Sequence, residues 1–491
     1  MPTATGLVEY RSEGRLLVIG RAEQINDWLP DAPQGLRIRC LLTETPEQEP
    51  PGVAFDISEP QAIQVSGWLG AFEVVHAAGR RETDLVLDLC EPPRLAMPLP
   101  PPGYLAPGDD PRAIADALAT LAGLTGRFDK PQFFQYKPNL CAHGASELPG
   151  CTRCLDACPA EAIISIGDKI EVKPPLCQGG GVCATVCPTG AISYQYPPLG
   201  DTLDRCRRML RAWRDAGGTA PLLLLHGSEQ QPALADPGVL PVALEELASA
   251  GIEVWLGALC FGARAVALDT DGAPPGTLRD AVQAQVDVAN AILEGLGFPA
   301  AVHWSHQPGA AMPPIQPATF GSTGGKREAL FAAIDHLVAT ASARPASIAL
   351  PAAAPMGRVR VDTGGCTLCL SCVSVCPAKA LSDGGGEPAL RFYEGNCVQC
   401  GLCATACPEQ VITLEPRLLT DGAERKAART LHREPPFHCV RCDKPFATRS
   451  VIDRMLGKLA GHSMFQDEAS RQRLKMCGDC RVLDMMEKDD A

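Results

Sequence analysis

A seven-residue phrase recurs four times in this chain: "CPAEAII" from Cys158, "CPTGAIS" from Cys187, "CPAKALS" from Cys376 and "CPEQVIT" from Cys407. Cys158 and Cys187 are 29 residues apart and Cys376 and Cys407 are 31 apart, so the copies fall into two pairs. Each pair reads as one unit with internal two-fold symmetry. Of the 23 cysteines, 19 sit in or beside tight C-x2-C or C-x3-C-P groups; Cys40, Cys90, Cys206 and Cys260 stand apart. In a chain of 491 residues such grouping is the spacing of ligands, because disulfide frameworks belong to small exported domains. Each proline suits the first turn of a helix, where its missing N–H costs nothing.

The second block, 359–415, reads Cys366-x2-Cys369-x2-Cys372-x3-Cys376-Pro377 and then Cys397-x2-Cys400-x2-Cys403-x3-Cys407-Pro408. Both are complete runs of the bacterial iron–sulfur type, in which two-residue spacing wraps a loop around one cluster and the cysteine before proline crosses to the other. The expected 4Fe-4S ligand sets are therefore Cys366, Cys369, Cys372 and Cys407, and Cys397, Cys400, Cys403 and Cys376. Zinc is the rival for any single C-x2-C, but zinc knuckles rarely chain three cysteines this way before Cys-Pro.

The first block, 130–200, departs from this pattern twice. Leu148 stands three residues before Cys151 where a cysteine is due, and Cys141, looping back across "AHGASELPG", is expected to supply the thiolate. That gives Cys141, Cys151, Cys154 and Cys187 for a third 4Fe-4S cluster. In the second half, Cys177-x5-Cys183-x3-Cys187 has Gly180 where the middle cysteine belongs, leaving Cys158, Cys177 and Cys183. Three thiolates suit a 3Fe-4S cluster, or a 4Fe-4S cluster with one ligand from elsewhere. Cys206 is the nearest spare thiol, although a buried helical cysteine is its plainer reading. His143 reads as a surface or capping residue rather than a ligand.

The tail holds Cys439-x2-Cys442 and Cys477-x2-Cys480 around a helical run Val451–Leu459. Two such knuckles close a tetrahedral zinc site. A single-iron centre with the same ligands and a pair of dithiols are the alternatives.

The expected fold is a multidomain mixture of α+β and α/β. It comprises a small α/β domain (1–92), a Pro-rich linker and helix (93–129), a first ferredoxin-like domain (130–200) and a flavodoxin-like α/β domain (201–340). An Ala/Pro linker (341–358), a second ferredoxin domain (359–420) and a zinc-ribbon-like tail (421–491) complete it. Asp110 and Pro111 open a helix with Ile114, Leu118 and Leu121 on one face. In the middle, 221–226, 252–255, 265–268 and 300–304 read as buried strands of a parallel sheet. Cys260, between two of them, reads as a packed cysteine. The formal charge of −13 supplies no basic field for nucleic acid. No apolar stretch approaches a membrane span, and Met1–Ala4 opens no export signal, so a cytoplasmic location is expected. No dinucleotide fingerprint, Walker A or nucleophile elbow occurs.

The second block resembles the bacterial dicluster ferredoxin domain at every ligand position. Residues 215–305 faintly resemble the delta-subunit domain of methyl-viologen-reducing hydrogenases, without that domain's cysteines. "FDKPQFFQYKPNLCAHGASELPGCTRCLDACPAEAI", "LCQGGGVCATVCPTGAI" and the tail "FHCVRCDKPFATRSVIDRMLGKLAGHSMF" resemble a family of proteobacterial 4Fe-4S proteins often encoded beside formate dehydrogenase. This resemblance implies a formate dehydrogenase or similar oxidoreductase as partner. The expectation is an electron carrier with no catalytic residue and no substrate site of its own. A flavin- or nicotinamide-linked oxidoreductase subunit and an iron–sulfur sensor or assembly factor are the alternatives.

Overall fold

Two apolar runs, Arg15–Gly20 and Leu85–Asp88, lie parallel at the centre of the N-terminal sheet because both of their faces are covered. Leu16 and Val18 face a core shared with the helix Pro111–Gly123, while Leu17 and Ile19 face Val65, Phe72 and Val74 of an antiparallel meander. The five-stranded parallel sheet runs Phe55–Ile57, Arg37–Leu42, Arg15–Gly20, Leu85–Asp88, Tyr104–Leu105. Asp110 caps the helix, accepting from the Arg112 N–H. The computed structural model describes residues 6–229, 232, 236–270, 276–305, 309–321 and 324–489; Met1–Ala4 lies outside them.

The Pro-rich stretch expected as a linker is packed. Tyr104 is buried and its hydroxyl donates to the Asp88 carboxylate. Leu99 N–H donates to the Pro159 carbonyl at 3.0 Å, and Gln178 Nε2 donates to the Pro100 carbonyl at 2.8 Å. The N-terminal unit is thus fastened to the first cysteine block.

The two cysteine blocks repeat one design. Phe134–Tyr136 pairs with Ile192–Tyr194 as Gly357–Val361 pairs with Ile412–Leu419, and the hairpin Ile163–Ile166/Lys169–Val172 answers Leu381–Asp383/Ala389–Phe392. Short helices, Arg153–Ala157 and Val182–Val186 in one, Ser371–Ser374 and Leu402–Thr405 in the other, follow the cysteine loops.

Between them the middle segment forms a four-stranded parallel sheet in the order Val239–Leu244, Leu222–Gly227, Ala265–Leu268, Val302–Trp304. Helices Leu199–Asp215, Ile252–Cys260, Gly276–Gly295 and Lys326–Thr340 accompany it. Residues 252–255, expected as a strand, begin a helix instead. All nine residues of that helix are buried, so no amphipathic period distinguishes helix from strand. The Ala/Pro stretch is also no spacer: Ser347–Ala349 pairs with Ile412–Leu419, and Ile348, Ala354 and Met356 enter the core of the middle unit. No helix among the described residues is long and apolar enough to cross a membrane.

Candidate metal centres

The loops that carry the cysteines share one backbone conformation. In the second block, Leu368 and Leu370 flank Cys369 with φ of 55° and 60°, and Gln399 and Gly401 flank Cys400 with φ of 54° and 87°. In the first block Gly179 and Gly181 flank Gly180 with φ of 84° and 73°. Left-handed residues on either side turn the chain around a common point, so Gly180 occupies the turn position of Cys369 and Cys400. A Cβ on Gly181 would stand 2.6 Å from Ser249 Cα, whereas one on Gly180 would meet nothing nearer than Leu278 Cδ1 at 3.8 Å. Gly181 is sterically required; Gly180 is not.

These loops gather the thiols into groups. Cys141, Cys151, Cys154 and Cys187 line one small cavity, and Cys366, Cys369, Cys372 and Cys407 line another. Burial pushes the Cys372 thiol up to about 12, with the charges of Cys369, Cys366 and Cys407 adding to the effect. Cys403 is likewise raised by burial and then by Cys397, Cys400 and Cys376. Cys158, Cys177 and Cys183 line a third, larger cavity; Cys183 is driven well above its usual range by burial, then by Cys177 and Cys158.

The groups form a series. The charge of Cys372 acts on Cys403, that of Cys151 on Cys400, and those of Cys154 and Cys187 on Cys183. Between the blocks, the Gly150 backbone beside Cys151 packs closely against the Leu402 side chain beside Cys400. A Cβ on Gly150 would lie 2.7 Å from Leu402 Cγ, so only glycine lets the loop of one block meet the helix of the other. Arg327, from the middle unit, ties the joint together by donating to the carbonyls of Pro188 (3.1 Å), Pro355 (2.7 Å), Gly395 (2.8 Å) and Cys397 (3.2 Å).

Three polar residues also attend the thiols, and of these only His143 is singled out by the sequence. Lys130 Nζ donates to the Cys177 carbonyl at 2.7 Å and lies over the Tyr10 ring, and Gln399 Nε2 donates to Cys397 Sγ at 3.2 Å. His143 is buried with Nδ1 on the Cys151 carbonyl (3.0 Å) and Nε2 on Ser165 Oγ (2.7 Å). Both ring nitrogens are engaged, so its role is to brace the Cys151 loop, and it is not at the surface. Cys206 and Cys260 lie in the core of the middle unit, and Cys40 in that of the N-terminal unit. Cys260 Sγ donates to the Ala333 carbonyl.

In the tail, Cys439, Cys442, Cys477 and Cys480 place their sulfurs within 4.8 Å of one another. The first pair sits in the turn of the hairpin Pro436–His438/Pro445–Thr448 and the second at the start of the helix Gly478–Asp489. Burial works against the Cys439 thiolate, but backbone N–H groups of Cys477, Arg441 and Cys442 pull it down to about 6. This module rests on the second block: Thr448 Oγ1 donates to the Thr367 carbonyl at 3.1 Å, and Arg454 pairs with Glu409.

Thiol groups this buried and mutually repulsive suit a cationic centre, which takes thiolates and relieves their charge. The donor sets therefore fit iron–sulfur clusters, and the chain is an iron–sulfur, ferredoxin-like electron-transfer protein. Residues 365–412 match the 4Fe-4S dicluster domain family. The chain is 46% identical over 48 residues to a ferredoxin of Methanothermococcus thermolithotrophicus, covering 80% of that protein and 10% of this chain. It is 44% identical over 46 residues to an uncharacterized ferredoxin of Methanocaldococcus jannaschii, covering 74% of it and 9% of this chain. A third relative, Hydrogenase-4 component A of Escherichia coli, is 45% identical over 56 residues; the match spans 25% of its length and 11% of this chain. The chain belongs to the dicluster ferredoxin family.

Proposed function

We propose that the chain is a polyferredoxin-type relay passing single electrons along four iron–sulfur stations in a fixed order. Cys366, Cys369, Cys372 and Cys407 would hold the outermost, followed by Cys397, Cys400, Cys403 and Cys376. Next come Cys141, Cys151, Cys154 and Cys187, and last Cys158, Cys177 and Cys183. Clusters at these sites supply reversible one-electron chemistry. The protein's own contribution is to fix their order and exclude water. The last station, with three thiolates, takes a 3Fe-4S or an incompletely ligated 4Fe-4S cluster.

The packing of Gly150 against Leu402, with Arg327 bridging the Pro188 and Cys397 carbonyls, supports this reading, because it sets the two ferredoxin-type pairs side by side. The outer station has the exposed Cys369 and the tail beside it, which suits it to exchange with a protein partner. A hydrogenase- or formate-dehydrogenase-type oxidoreductase fits as that partner, given the likeness to a hydrogenase component. The tail's four thiolates suit a structural zinc. Iron, sulfide and zinc analysis of anaerobically purified protein, with electron paramagnetic resonance before and after reduction, tests the reading. Four interacting centres and one zinc are expected; two isolated centres would refute the relay.

A further inference from the structure

Cys158, Cys177 and Cys183 line a cavity of about 500 Å³, part of which is the space a cluster on these thiols would fill. One wall carries Cys158, Cys177 and Cys183. The other is built from the carboxyl ends of all four parallel strands: Gly227 ends one, Glu245 and Glu246 follow the second, Asp269 follows the third and Trp304 ends the fourth. In this sheet the first strand in sequence, Leu222–Gly227, lies between the second and third, so the chain winds outward in both directions from it. Gly227 and Asp269 mark the crevice where the winding reverses, the place where open α/β sheets bind their ligands. Gly180 lines the same cavity, with room at its Cβ position. The space a fourth thiolate would occupy is therefore continuous with the ligand crevice of a different unit.

The lining selects a chemical class. Its charged side chains are the carboxylates of Glu245, Glu246 and Asp269, and the described lining residues include no lysine, arginine or histidine. Among the described lining residues a phosphate-bearing dinucleotide would find no cationic side chain, and the chain carries neither a G-x-G-x-x-G fingerprint nor a Walker A motif. Leu99, Leu278 and Trp304 supply apolar surface.

We propose that this cavity is a binding site for a small, uncharged or cationic organic molecule that reaches the group held by Cys158, Cys177 and Cys183 through the gap at Gly180. The inference rests on the proposed occupation of that thiol group and adds a substrate-type site to the end of the relay. The full chain, purified anaerobically with its clusters, is titrated with imidazole as the probe and followed by visible and electron paramagnetic resonance spectra. A saturable change confined to one centre is expected. Gly180→Cys, which fills the gap with a thiolate, should abolish it. Leu278→Trp, which narrows the cavity without altering a ligand, should weaken it at least tenfold while iron and sulfide content stay unchanged. FMN, tested by equilibrium dialysis, should show no saturable binding.

A wild-type spectrum unmoved by imidazole with all four centres present, or an equal response in Leu278→Trp, would overturn the site. Saturable FMN binding lost in Leu278→Trp would overturn the ligand class. Iron and sulfide sufficient for only three stations, with the missing signal assigned to Cys158, Cys177 and Cys183, would instead overturn the underlying relay reading, and so the two failures are distinguishable.

Discussion

The guanidinium of Arg327 donates to the carbonyl of Cys397 at 3.2 Å, reaching from the helix Lys326–Thr340 into the loop that positions the second station. The same side chain holds the Pro188 carbonyl, next to Cys187 of the third station. Arg327→Met should leave four carbonyls without their charged donor. Hydrogen bonds to a charged group contribute about 1.5–3 kcal/mol each, and the loss should total roughly 3 kcal/mol or more after relaxation. Thermal unfolding under anaerobic conditions measures it. Magnetic interaction between the two inner centres should weaken, with iron content unchanged in protein that remains folded.

Gly180→Cys tests the thiolate count. The loop already turns as it does at Cys369 and Cys400, and a Cβ meets only Leu278 Cδ1 at 3.8 Å, so the new thiol should be accepted without strain. Mild oxidation of the wild type should give the signal of a three-iron cluster, and the variant should suppress it. Cys206→Ser should change neither, since Cys206 lies in the core of the middle unit. A wild type that resists oxidation until Cys206 is replaced would reverse the assignment.

Much of this arrangement is legible in the sequence. The Cys-Pro phrases mark both repeats, and Asp110-Pro111 marks a helix start that the structure shows. Other parts are not legible for definable reasons. Val239–Leu244 contains Pro241, which argues against a strand until its place at the sheet edge is known, where proline is tolerated. Ile252–Cys260 is buried on every side and so has no period to read. The contact of Gly150 with Leu402 joins residues about 250 apart in the chain, and with Arg327 it sets the two cysteine blocks side by side; neither Gly150 nor Arg327 belongs to a motif.

Cys400→Ser addresses the joint between the blocks. It should remove or alter one low-potential signal, leave the outermost centre intact and reduce the interaction with the Cys151 centre. A spectrum identical to wild type would dismiss the ligand assignment.

The tail should hold one zinc that dithionite and ferricyanide leave untouched, because zinc has no redox chemistry. In the metal-free tail Cys439 is held at about 6, whereas hydrogen bonds among the neighbouring thiols, then burial, raise Cys480 to about 12. Zinc must displace the protons that remain, so binding should release protons at neutral pH and weaken as the pH falls. Titration in weakly buffered solution measures both. Cys439→Ala with Cys477→Ala should release the metal. Loss of the tail's contacts with Thr367 and Glu409 should also speed oxidation of the centre at Cys369, followed by its visible absorbance in air.

The core of the middle unit contains Val182 and Val186 from the first cysteine block together with Met356 from the Ala/Pro stretch and Leu418 from the second ferredoxin-like unit. Segments that look like beads on a string in the sequence therefore share one interior. Neither ferredoxin-like half is an interchangeable part: excised at its sequence boundary, each would carry a raw apolar seam and lose the neighbour that orients it. Transplanting one half into another chain would require carrying the middle unit with it, so insertions and recombination should be tolerated in the outer loops and excluded from this seam.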